Sequence, residues 1–169
     1  MVSVVPAQPG LAARKALYEL DPLTYEATRL TADAGWHAAD DAALLSILVL
    51  GASATPPPGT ERKLVWVWAQ LTPPGTRTAG ALQGLVLSTP PPAGRARGST
   101  AQLLPAPADD PSSDVARRLS ARFRRPIYLS LSNVGPARAD PAGTTPSTPD
   151  ELAALERCLV AELRTALSA

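Results

Sequence analysis

One stretch, Ser112–Ser132 (SSDVARRLSARFRRPIYLSLS), constrains the fold more than any other part of the chain, because helix period gives way to strand period across a single proline. Val115, Leu119 and Phe123 recur every four residues with Ala116 beside them, which places one apolar stripe on a helix. Ser112 or Ser113 is expected to cap its start, and Asp114 falls in the first turn, where the helix dipole favours an anion. Pro126 cannot continue the helix and pushes Arg125 towards an extended conformation. Ile127, Leu129 and Leu131 then alternate with Tyr128, Ser130 and Ser132, the two-residue period of a strand.

Upstream, the chain reads as short strands separated by proline-rich loops. Residues 1–22 are expected to form an N-terminal arm, and residues 23–169 a single domain. LTYEATRLT (23–31), LLSILVL (44–50), KLVWVWAQL (63–71), GLVLS (84–88) and STAQLL (99–104) are the strand candidates. In the third of these Leu64, Trp66 and Trp68 point one way and Val65, Val67, Ala69 and Leu71 the other. Loops are expected at 55–60, 72–80, 89–98 and 134–149, where most of the 19 prolines gather. The last element is a helix: Thr148 suits the cap, Pro149 the first turn, and Glu151 completes a capping box. Leu152, Leu155, Leu159, Leu163 and Leu167 give it a narrow apolar stripe. Glu156 sits at the edge of that stripe, either leaning out to water or pairing across an interface.

Strands followed by helix, strand and helix imply an α+β domain with a mainly antiparallel sheet of about six strands and two helices packed on one face. Such a sheet is about 25–30 Å wide, and two helices, each about 10 Å across, cover one side of it. Three of the strands are apolar on both sides. The second face therefore calls for a cover from outside, a partner protein or a second copy. Leu64, Trp66 and Trp68 are the candidate contacts on it.

Bulk properties exclude more than they identify. A chain of 169 residues that is 45% hydrophobic and 18% charged folds as a globular domain, and its net charge of +1 names no partner. Its single cysteine, Cys158, permits no internal disulfide and suits a reducing compartment. Apolar runs are far shorter than the roughly 20 residues needed to span a bilayer. The N-terminal residues lack the basic start and apolar block of a secretory signal, and Arg14 and Lys15 lend them only a weak transit-peptide character.

Catalytic signals are sparse. His37, the one histidine, lies near Asp40 and Asp41, but no nucleophile elbow accompanies it, and a solvated polar loop is the plainer reading. Cys158 lies beside the leucine stripe and reads as a small buried side chain rather than a thiolate. One Cys and one His cannot build a structural zinc site, and no phosphate-binding glycine loop occurs. The pairs Asp40/Asp41 and Asp109/Asp110 are adjacent in loops and do not face one another as an acid and base must. No metal, no cofactor and no enzymatic activity are expected.

The helix at 112–125 carries five arginines and one acid. Its basic side, with Arg117, Arg118 and Arg125, either faces water or meets an anionic partner: nucleic acid, or an acidic protein surface that arginine recognises bidentately. The C-terminal helix holds four acids against two arginines, so part of this charge can cancel between the helices.

The block DVARRLSARFRRPIYLSLSN (114–133), followed by ELAALERCLVAELRTAL (151–167), resembles the C-terminal half of the proteasome assembly chaperone 4 family. Arg118, Leu119, Arg122, Tyr128 and Ser130 match its pattern in order, while TRLT (28–31) and GLVLS (84–88) fit less specifically. The sister family, proteasome assembly chaperone 3, shares the order of elements. The proline-rich loops look like insertions relative to compact members. The resemblance implies a non-enzymatic chaperone of the cytoplasm and nucleus that forms a heterodimer with its sister chaperone and assists α-ring assembly of the 20S proteasome by binding α-subunits. It implies no membrane association. The competing reading is a nucleic-acid-binding α+β module that uses the basic face of helix 112–125.

Overall fold

The structure, a computed structural model, describes residues 13–21, 24, 26–30, 43–51, 64–72, 82, 84–93, 95, 98–106, 110–132 and 149–168. In chain order the elements are β1 (Ala13–Leu20), β2 (Ala27–Leu30), β3 (Ala43–Leu50), β4 (Val65–Thr72), β5 (Leu85–Ser88), β6 (Thr100–Leu104), α1 (Ser112–Phe123), β7 (Ile127–Ser132) and α2 (Pro149–Ser168). This is the expected α+β architecture with seven strands rather than about six, in one open sheet of order β2-β1-β3-β4-β7-β5-β6.

The additional strand is β1, which lies inside the segment expected to be an arm. It pairs along its whole length with β3 and also with β2, so the folded domain includes residues from Ala13 onward. The alternation in ARKALYEL is legible only once its neighbours are known, because Arg14, Lys15 and Glu19 interrupt it with charge. All neighbouring strands are antiparallel except β4 and β7, whose parallel pairing brackets the β5–β6 hairpin and α1. That hairpin is the expected loop 89–98: the Thr89 N–H donates to the Ser99 carbonyl at 2.8 Å. Gly51 ends β3 at φ 81°, and a Cβ there would meet the Leu64 carbonyl oxygen at 2.5 Å, so both its backbone angle and its neighbour require glycine.

Helix α1 begins differently from the expectation. Neither Ser112 nor Ser113 caps it; Pro111 occupies the cap, and the Asp110 carboxylate accepts from the Ser112 N–H at 3.2 Å and the Ser112 hydroxyl at 2.8 Å. A carboxylate satisfies an orphan N–H at the positive helix end better than a hydroxyl does, which leaves Ser112 free to be buried. The helix also stops before Pro126, at Arg124, whose backbone is left-handed at φ 52°. Thr148, the expected cap of α2, lies outside the described residues.

One continuous core fills the space between the helices and the sheet. Leu45, Ile47 and Val49 of β3, Val65, Val67, Ala69 and Leu71 of β4, and Ile127, Leu129 and Leu131 of β7 meet Val115, Ala116 and Leu119 of α1 and Leu155, Leu159 and Leu163 of α2. Both helices thus pack on the same face, as the element count required.

Candidate partner-binding surfaces

Strand register builds the opposite face row by row. Trp66 stands between Leu50 of β3 and Tyr128 of β7, and Leu87 of β5 continues that row beside Tyr128. The next row runs Lys15, Leu48, Trp68, Ser130, and the one after it Leu17, Ser46, Gln70, Ser132. The face is therefore aromatic and aliphatic at one end and grades into serine and glutamine at the other. Exposure follows the same gradient. Leu64 is 51% and Trp66 38% exposed, Trp68 is half-buried, and Gln70, Ser130 and Ser132 are buried. The Ser130 hydroxyl is buried without a hydrogen-bond partner among the described residues. Neither α1 nor α2 lies over the tryptophans. The structure thus brings Leu64, Trp66 and Trp68 together on one side of β4, with the leucines of β3 and β5 beside them.

The basic face of α1 is more internally satisfied than its sequence suggests. Arg117 donates to Asp114 at 2.6 Å, one helical turn away. Arg118 reaches across to α2, where its Nε lies 3.0 Å from both Glu156 oxygens and its Nη2 2.7 Å from one of them. Hydrogen bonding to Glu156 raises the Arg118 pKa above its already high ordinary value. Glu156 therefore does not lean into water; it holds the two helices together from outside. Arg125 is half-buried at the turn, where its N–H donates to the Ser120 carbonyl at 3.3 Å. Of the three predicted arginines, two face carboxylates of their own chain.

The charge most deeply placed was not singled out from the sequence. Glu162 of α2 is 3% exposed and reaches the outer strands, where it accepts from Arg14 Nε at 2.7 Å and the Tyr18 hydroxyl at 2.7 Å and forms an ion pair with Arg29 Nε at 3.0 Å. Tyr18 and Arg29 are cross-strand partners, and Arg14 lies four residues before Tyr18 on the same face. Burial alone would push the Glu162 carboxyl up; hydrogen bonds from Arg14 and Tyr18 and the charges of both arginines overcome it and hold the group below the usual carboxylate range. Tyr18 moves the other way, raised by burial and by its bond to Glu162. This cluster pins the β1–β2 pair to α2. The signal for it was an acid at a position where the leucine stripe calls for an apolar residue.

Cys158 is buried, as its place in the stripe suggested, and burial pushes its thiol up to about 11 against the pull of Arg157, which favours the neutral, packed thiol. Among the described residues no group of three His, Cys, Asp or Glu side chains could hold a metal ion, and no helix is long and apolar enough to cross a membrane. His37, Asp40, Asp41 and Asp109 lie outside the described residues.

Comparison with known proteins returns the likeness read from the α1–β7 block. The sequence model of the proteasome assembly chaperone 4 family matches residues 60–132, a span that runs from just before β4 to the end of β7 and stops short of α2. The likeness quoted for the terminal helix falls outside that span. No curated protein matches the sequence. A chain from a solved structure described as a novel chaperone complex for yeast 20S proteasome assembly superposes with a TM-score of 0.48 at 15% identity, covering 92% of this chain and 98% of that one.

Proposed function

We propose that this chain, which carries the proteasome assembly chaperone 4 pattern over residues 60–132, is a non-enzymatic chaperone that pairs with a sister chaperone and binds α-subunits during assembly of the 20S proteasome. The observation that carries this reading is the span of the match itself. It takes in β4, with Leu64, Trp66 and Trp68, and the α1–β7 unit, with Arg117, Arg118 and Arg125. The sister chaperone takes the tryptophan end of the open face. A contiguous apolar patch is costly to leave in water, and tryptophan is the residue type that most often dominates interface energy. An α-subunit meets the arginine side of α1 through acidic groups. Such a chaperone acts in the cytoplasm and nucleus.

Co-expression with a sister chaperone tests the pairing, and capture from native extract tests the α-subunits. A soluble 1:1 complex that co-purifies with α-subunits is the expected result; a well-behaved monomer that captures none overturns the reading. The nucleic-acid alternative predicts a gel shift that weakens steeply with salt. Absence of any shift at low salt ends that alternative.

A further inference from the structure

A second charged feature lies on the outer side of the helices, apart from the residues assigned above. Between α1 and α2 runs a groove of about 460 Å³. Its apolar lining comes from Val160 and Ala161 of α2, and its arginines are Arg122 of α1 and Arg157 and Arg164 of α2. On α2 the sequence R157-x-x-V160-A161-x-x-R164 sets the two arginines two helical turns apart with the apolar pair between them. All three arginines are exposed, and none is paired with a carboxylate among the described residues. The one acid lining the groove among the described residues, Glu156, is already neutralised by Arg118. The groove therefore carries three uncompensated positive charges around a small apolar strip.

We infer that this groove docks an acidic segment of a partner protein, its carboxylates on Arg122, Arg157 and Arg164 and a small apolar side chain against Val160 and Ala161. The chain displays the recognition chemistry itself: the Glu156 carboxylate is held by Arg118 through three N–O contacts of 2.7–3.0 Å. Guanidinium planes match carboxylates in this way, and an apolar strip adds contact that a bare charge cluster lacks. A nucleic acid fits less well. Among the described residues no aromatic side chain lines the groove for a base to stack on. A volume of about 460 Å³ receives a few side chains rather than a strand of nucleotides. The inference holds whichever protein supplies the segment and does not depend on the proteasome reading.

The test uses the full chain and two fluorescent peptides, one of repeating Glu-Glu-Leu and its Gln-Gln-Leu counterpart, with binding followed by anisotropy at low and at physiological salt. The glutamate peptide should bind and the glutamine peptide should not. Each of Arg122→Ala, Arg157→Ala and Arg164→Ala should weaken binding by about two- to fivefold at low salt, and the triple variant by more than tenfold. Glu156→Gln should act in the opposite direction, because it removes the negative charge that the described residues place in the groove and releases Arg118; binding should tighten severalfold. All four positions are exposed or at the surface, and an unchanged melting temperature establishes that each variant folds. The inference is overturned if the glutamate peptide fails to bind, if the triple variant binds it unchanged, if Glu156→Gln weakens it, or if a single-stranded oligothymidine binds more tightly than the peptide. Co-purification of α-subunits is a separate measurement, so a failure of one proposal leaves the other intact.

Discussion

The two sides of β4 are built from the same eight residues and have opposite fates at its tryptophan end. Val65, Val67, Ala69 and Leu71 are 0–1% exposed under the helices, whereas Trp66 and the preceding Leu64 are the most exposed large apolar residues of that part of the sheet. Size distinguishes them as much as burial. The covered side is made of compact aliphatic groups that interdigitate with helix side chains, and the other side carries indoles that neither α1 nor α2 meets. Residue parity thus sets which side chains form the core: a slip of one residue in register would bury the tryptophans and expose the core. The hydrophobic side completed inside the chain holds the fold, and the tryptophan end of the other side is where an interface is proposed.

The largest effect belongs to the covered side. Leu129 lies at 0% exposure in β7, the strand that joins β4 to the β5–β6 hairpin. Leu129→Ala should destabilise the isolated chain by about 2–5 kcal/mol in urea unfolding, from lost burial plus the cavity left behind. A cost under about 1 kcal/mol would mean that this side is not the stabilising one.

Next comes the charge that crosses the covered side. Glu162→Gln keeps the shape and removes the carboxylate from Arg14, Tyr18 and Arg29, and should cost about 1–3 kcal/mol. The arginines limit the loss because both retain access to water, at 32% and 48% side-chain exposure. The pH dependence has a defined sign. The folded carboxyl titrates below the unfolded value of about 4.3, so its stabilisation is present above that pH and is lost as pH falls through the folded value. Tyr18 contributes at the alkaline end. Its folded value is raised, so its stabilisation is present below the unfolded value of about 10 and is lost at higher pH. Stability measured against pH in the Gln variant should lose the part of the acid limb that Glu162 supplies; an unchanged acid limb would remove Glu162 from the account.

These two positions also show what the sequence could reveal. The phase of β4 and the α1-Pro-β7 unit were legible because each residue's neighbours in sequence share its periodicity. The division of the sheet into a covered and an open face followed from counting elements. Strand β1 was not legible, because Arg14, Lys15 and Glu19 break its apolar alternation; Arg14 is there to meet Glu162, some 148 residues away. The same distance hid Glu162, whereas Glu156 drew attention for its place beside the stripe and turned out to be an outer tie to Arg118. Pairings that local period cannot encode are the ones that were missed.

That outer tie gives a smaller effect. Arg118→Ala removes a pair whose side chains are 47% and 25% exposed, and should cost about 0.2–1 kcal/mol, reduced further by salt. A cost as large as that of Glu162→Gln would show that the helices depend on their outer surface as much as on the core beneath them.

The smallest effect on the isolated chain is the most informative. Trp66→Ser changes a side chain on the open face, flanked by Leu50 and Tyr128 and 38% exposed, and should leave stability within about 0.5 kcal/mol. The exposed apolar surface it removes should also make the free chain less prone to associate, which light scattering at rising concentration measures directly. Pairing with a sister chaperone should in contrast fall by tenfold or more, since a central aromatic anchor at an interface is commonly worth 2 kcal/mol or more, by about the usual hot-spot scale. If Trp66→Ser unfolds the chain as readily as Leu129→Ala, the open face is a second core and the division between the two sides of β4 is wrong. If it does neither, the tryptophan is exposed without consequence and the partner must dock elsewhere.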